Sequence, residues 1–177
     1  MRLKTLIPLL LIMVVCSGCQ KIELQEFSPD GTYKVLFPEK KEFTEKPING
    51  TAMKIWTTEF NQGALLFISM TFPLSGVSVA DQENLLKQSQ DGASNAIHGV
   101  LQSENSIKLN NKYLGREFAY KVKIPNKSGF GEIEGISKCR LYIVKDRMLM
   151  LQVIGKPEWT QKEECTRFLD SLQIIKE

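Results

Sequence analysis

The chain has 177 residues, enough for one domain with a real core and too few to expect two. Hydrophobic residues make up 42% and charged residues 24%, the ordinary balance of a globular protein. The formal charge is +3; setting aside Arg2 and Lys4, which fall in an N-terminal leader, 21 basic against 20 acidic residues leave +1. That excludes the clustered basic face that nucleic acid requires, and an acidic solvating tail with it.

Met1 to Val15 reads as a targeting segment. Arg2 and Lys4 form a positive n-region, and Leu6 to Val15 is an apolar run broken only by Pro8, too short to cross a bilayer as a helix. Cys16-Ser17-Gly18-Cys19 follows, and its small Ser17 and Gly18 give a signal peptidase access to the bond before Cys19. The stretch resembles the lipobox of bacterial lipoproteins, departing from it at Cys16, where Leu or Val is commoner. The resemblance implies that residues 1–18 are removed and that Cys19 becomes the N-terminus, bearing a diacylglyceryl thioether and an N-acyl chain. Two or more acyl chains hold a protein stably on a membrane. Gln20, rather than Asp, after the lipidated residue implies sorting to the outer membrane, on its periplasmic side, where the organism is Gram-negative. The alternative is an ordinary secretory signal with an incidental Cys19. Residues 19–26 then form the lipidated N-terminus and a spacer, and residues 27–177 a single domain.

Within that domain, Phe27 to Thr32 is a turn and Tyr33 to Phe37 a short strand closed by Pro38. Glu39 to Gly50, rich in Lys and Glu with Pro47 inside it, reads as a solvated loop. Thr51 to Phe60 and Ala64 to Phe72 are strands around Asn61-Gln62-Gly63. The second is apolar on both faces, which implies layers above and below the sheet. Asp81 to His98 is an amphipathic helix whose Leu85, Leu86, Ser89, Ala93, Ala96 and Ile97 fall near one stripe. Gly99 is placed to stop it in the left-handed conformation. Small Gly92, Ala93 and Ala96 would let the helix lie close on a sheet.

Val100 to Leu109 and Tyr113 to Ile124 are strands joined by Asn110-Asn111-Lys112, a hairpin signal because Asn tolerates positive φ. Ile133 to Val144 and Met148 to Ile154 form another hairpin around Lys145-Asp146, and the second strand, again apolar on both faces, is central. Pro157 opens the last helix, Thr160-x-x-Glu163 matches a capping box, and Cys165, Phe168, Leu169 and Leu172 form its apolar stripe. Short connections between strands make the sheet mostly antiparallel. The fold class is α+β, an antiparallel sheet flanked by helices.

Four stretches, in this order, resemble small bacterial envelope proteins of the PsbP-like fold: FSPDGTYKVLFP (27–38), residues 91–118 with Gly115-Arg116-Glu117, RLYIVKDRMLMLQVIG (140–155) and RFLDSLQI (167–174). The family takes its name from an extrinsic photosystem II protein. The resemblance implies an α/β/α sandwich over most of the mature chain and generally no catalytic centre; members are mostly of unknown function, and the photosynthetic role is not carried over.

Few residues are candidates for chemistry. Cys139 and Cys165 are an even pair in a compartment that permits disulfides, so they form either a bridge between a strand and the last helix, the favoured reading, or two buried free thiols. His98, the only histidine, lies at a helix C-terminus, where it complements the helix dipole more readily than it acts as catalyst or ligand. Arg116 stands on the apolar side of its strand between Leu114 and Phe118. It is a ligand or partner anchor, or else an Arg that buries its stem and pairs with a carboxylate such as Asp170. Trp56 reads as packing beneath a helix. Metal, nucleotide and cofactor motifs are absent from the sequence.

Three functions remain. The leading one is a non-enzymatic binding or assembly module tethered to an envelope membrane through Cys19, with another envelope protein as partner. The second is an envelope hydrolase using carboxylates such as Asp170 or Glu117, which would need a carboxylate pair in one concave pocket. The third is a carrier of a small apolar ligand between helix and sheet, which a large apolar cavity would favour.

Overall fold

The computed structural model describes residues 21–48, 51–72, 78–126 and 129–176. The leader and Cys19 lie outside them.

Seven antiparallel strands form the main sheet: β3 (Glu42–Ile48), β4 (Thr51–Phe60), β5 (Gly63–Thr71), β6 (Val100–Leu109), β7 (Tyr113–Pro125), β8 (Glu132–Val144) and β9 (Arg147–Gly155). Their spatial order is β3-β4-β5-β9-β8-β7-β6. The hairpins arise where the sequence places them: Asn110, Asn111 and Lys145 take positive φ of 52°, 55° and 56° at two of the turns. β9 is the middle strand, paired with β5 on one side and β8 on the other, which is why its run from Met148 to Leu151 is apolar on both faces.

One face is covered by helix α1 (Val79–Ile97), which packs on β7 and β8. The other is covered by α2 (Pro157–Thr160), α3 (Glu163–Leu169) and a second sheet, in the order β1-β2-β10, made of β1 (Gln25–Phe27), β2 (Tyr33–Phe37) and β10 (Gln173–Ile174). This is the expected α+β sandwich, with a small sheet added to one layer. Each face has its own core. Val35, Phe37, Leu65, Phe67, Leu151, Trp159 and Phe168 belong to the α2–α3 side; Leu86, Phe118, Tyr120, Leu141 and Ile143 belong to the α1 side.

Several expectations are corrected. Residues 42–48, read as loop, form β3, an edge strand whose side chains all face solvent to a large degree. Ile48 pairs with Thr51; Asn49 and Gly50 lie outside the described residues. The segment read as spacer is not free of the domain: Ile22 is buried, Leu24 packs on the same core, and residues 25–27 form β1. The last helix is two pieces. Thr160 closes the first by donating its hydroxyl to the Pro157 carbonyl at 3.0 Å, so the capping box with Glu163 does not form. Leu172 is buried beyond the end of α3, where Ser171 ties the layer down: its Oγ accepts from the Leu36 amide at 2.9 Å and donates to the Phe168 carbonyl at 2.6 Å. Trp56 packs against Phe27 and Phe67, under β1 rather than under a helix.

The expected Cys139–Cys165 bridge is absent; both are buried free thiols. The reason is topological. Cys139 pairs with Phe118 and points into the α1-side core, whereas Cys165 belongs to the core on the opposite face. Burial pushes both thiols up, to about 12 for Cys139 and about 11 for Cys165, so neither is a reactive nucleophile.

Candidate functional site

The site begins with how α1 is held. Ser78 caps it, accepting from the Asp81 amide at 3.2 Å. At the other end His98 itself adopts the left-handed conformation, φ 48°, and the Gly99 amide reaches back to the Ser94 carbonyl at 3.0 Å. Gly99 is needed for a different reason than expected: a Cβ there would come within 2.8 Å of the Tyr120 Cβ.

Between its ends, α1 is pinned along one side only. Leu86 plugs the α1-side core. Gln90 is the polar clamp. Its Oε1 accepts from Arg116 Nη1 at 3.1 Å, its Nε2 donates to Glu104 Oε2 at 2.7 Å, and its carbonyl accepts from the Tyr120 hydroxyl at 2.8 Å. Arg116 completes the ring with an ion pair to Glu104 at 3.1 Å. Burial, ahead of neighbouring charges, pushes the Tyr120 phenol up to about 12, so it stays a donor at any physiological pH. Arg116 therefore pairs with Glu104, not Asp170, and its work is to hold α1 over β6 and β7.

The other side of α1 stands away from the sheet. Ser89, Gly92, Ala93, Ala96 and Ile97 follow the i, i+3, i+4, i+7, i+8 spacing of one helical face. Four of these five side chains are small, and across from them lie β4, β5 and β9. A cleft of about 400 Å3 remains, floored by Met53, Ile68, Met70, Met148 and Met150, with Leu141 at the back and Ile48 at the rim. Its wall is almost wholly apolar; Gln152, whose Nε2 donates to Ser137 at 2.9 Å, is the buried polar exception. The size suits a small molecule. Methionine is the apolar side chain best able to reshape around an incoming group.

The carboxylates considered for hydrolysis are elsewhere. Glu117 and Asp170 converge from β7 and the end of α3 on Arg140, with Arg140 Nε 2.6 Å from Glu117 and its Nη1 paired to Asp170. Burial opposes the Arg140 charge, but these two partners outweigh it and raise its pKa. Both carboxylates are thus tied to a cation that docks α3 on the sheet. His98 is exposed at the end of α1.

No family model matches the chain, and no curated protein matches it. Among solved structures, the solution structure of cyanobacterial PsbP (CyanoP) from Synechocystis matches with a TM-score of 0.60 at 11% identity, over 92% of this chain and 98% of that one. The chain has a PsbP-like fold. A Pseudomonas aeruginosa protein of unknown function matches this PsbP-like domain at a TM-score of 0.43 and 9% identity, over 81% of this chain and 90% of that one, a likeness too slight to argue from.

Sequence reasoning raised an apolar ligand between helix and sheet but did not locate the cleft, because it took Gly92, Ala93 and Ala96 as an invitation to close packing. The signal that could have found it is the methionines: Met53, Met70, Met148 and Met150 fall at the strand positions that share the α1-facing side.

Proposed function

We propose that this PsbP-like domain is a non-catalytic binding module of a bacterial cell envelope, held on a membrane through lipid at Cys19, and that the cleft beneath α1 takes a small linear apolar ligand such as a fatty acyl chain. The observation that carries this reading is the cleft itself: an apolar hollow beside a helix secured along one side only. An empty hollow of this kind leaves methionine and isoleucine side chains without partner atoms, and an apolar guest restores those contacts. A charged or polyhydroxylated guest would lose its hydration with almost nothing to replace it. The resemblance of residues 16–19 to a lipobox supports the membrane tether, which would keep the cleft beside a reservoir of acyl chains.

The test is a fluorescence titration of residues 20–177 with cis-parinaric acid. Saturable uptake of one probe per chain is expected, and Ala93→Phe, which places a ring in the cleft from a half-buried helix position, should abolish it. Uptake that does not saturate, or that survives Ala93→Phe in a folded protein, would sink the ligand reading. The tether is tested separately by intact mass of membrane-extracted protein: an acylated Cys19 supports it, and a mature chain whose Cys19 carries no lipid contradicts it.

A further inference from the structure

The opposite face of the sheet carries a second hollow of different chemistry, about 630 Å3 in volume. The strand register tiles its floor in rows. In the first, Phe43 lies opposite Trp56 and Trp56 opposite Phe67; in the second, Glu45 lies opposite Lys54 and Lys54 opposite Ser69. In the third, Thr71 lies opposite Arg147. Asp30 and Tyr33 close the far wall.

The aromatic row is continuous. Trp56 stacks on Phe67 with centroids 5.5 Å apart and meets Phe43 at 5.4 Å, yet Phe43 remains 55% exposed. Arg147 is fixed by its ion pair to Asp30 and lies 5.6 Å from the centre of the Tyr33 ring. Ser69 sits nearly buried at the bottom. The four charged side chains of the hollow, Asp30, Glu45, Lys54 and Arg147, cancel.

We propose that this hollow is a binding site for a neutral sugar ring. The C–H face of a pyranose is apolar and flat enough to lie on the exposed Phe43 ring backed by Trp56, as aromatic side chains accept flat apolar partners. Its hydroxyls donate and accept at once, and so match a rim that offers the Glu45 carboxylate, the Lys54 ammonium and the Thr71 hydroxyl together. An acyl chain would strand those charged groups without water. An anion would meet as many carboxylates as cations. The two hollows lie on opposite faces of the sheet, so this proposal stands whether or not the cleft under α1 binds an apolar ligand.

The test is isothermal titration of the full chain with three neutral trisaccharides: cellotriose, maltotriose and triacetylchitotriose. At least one should bind saturably with one site per chain. Phe43→Ala, at an exposed position that leaves the core intact, should weaken that binding by about tenfold. Lys54→Ala should weaken it as well, and Ala93→Phe in the other cleft should leave it unchanged. No saturable heat with any of the three up to about 10 mM, or binding indifferent to both Phe43→Ala and Lys54→Ala, would overturn the proposal.

Discussion

The two faces of the sheet are filled to different standards. On the α2–α3 side, backbone and rings are pressed together: a Cβ at Gly63 would lie 2.4 Å from Trp159 Cε3, and one at Gly115 2.5 Å from Tyr142 Cδ1. Aromatic side chains interlock across the layers there, Phe37 with Phe168 and Tyr33 with Phe67, both at 5.5 Å. On the α1 side, a Cβ at Gly92 would meet nothing within 4 Å, and Met53, Met70 and Met150 are only partly buried. Around Gly63, Trp159 and Phe168 the first face is close-packed; beneath α1 the second is held by a polar clamp at Gln90 and keeps space. The lesson is that the two layers are secured by different means, interlocked rings beneath α2 and α3 and a polar clamp beneath α1.

Truncations should expose this difference most strongly. Phe168→Ala, in the tight core, should cost about 3–5 kcal/mol in urea unfolding, whereas Met53→Ala at the cleft should cost about 1 kcal/mol or less. Equal costs would mean that the cleft is filled in solution by the protein's own side chains.

A glycine pair sharpens the same comparison. Gly63→Ala should destabilise by about 1–3 kcal/mol, since Trp159 and the Ile154 carbonyl leave the methyl no room. Gly92→Ala should stabilise by about 1 kcal/mol, because the site is open and helical and alanine is the better helix former. Destabilisation at Gly92 would show that α1 packs more closely than described.

The thiols give the smallest effect, and it is pH-dependent. Cys139 and Cys165 sit on opposite faces, and each has its pKa raised by burial. Groups held neutral in the native state contribute stability that is fully present below the unfolded thiol pKa, about 9, and is lost as pH rises through about 11 and then about 12. Ellman's reagent should label neither in native protein beginning at residue 20 and both after denaturation. No labelling of denatured, unreduced protein would restore the disulfide.

Much of this was legible in the sequence. The strands from Thr51 to Ile154 announce themselves by alternation or by apolar runs between short polar turns, and Arg116 falls on the face its parity gives it. β3 was hidden because Pro47 and three charged residues, Glu42, Glu45 and Lys46, look like a loop. Those same residues are what an exposed edge strand uses to resist pairing with other chains. The bridge was misjudged because strand parity places Cys139 on a face without saying which face the last helix takes. Arg116 and Asp170 were matched in charge, but the sheet lies between them. The cleft is a matter of how far α1 stands from the sheet, which no periodicity encodes. Composition hints at it all the same: past residue 20, every methionine in the chain lines that cleft.

Those methionines supply the most direct test of the central claim. Residues 20–177, labelled with 13C at the methionine methyl groups, contain Met53, Met70, Met148 and Met150 as their whole methionine complement. On titration with palmitate below its micelle concentration, all four methyl resonances should move together and saturate. If the four stay where they are while resonances elsewhere respond, or if nothing responds, the cleft beneath α1 is not a binding site.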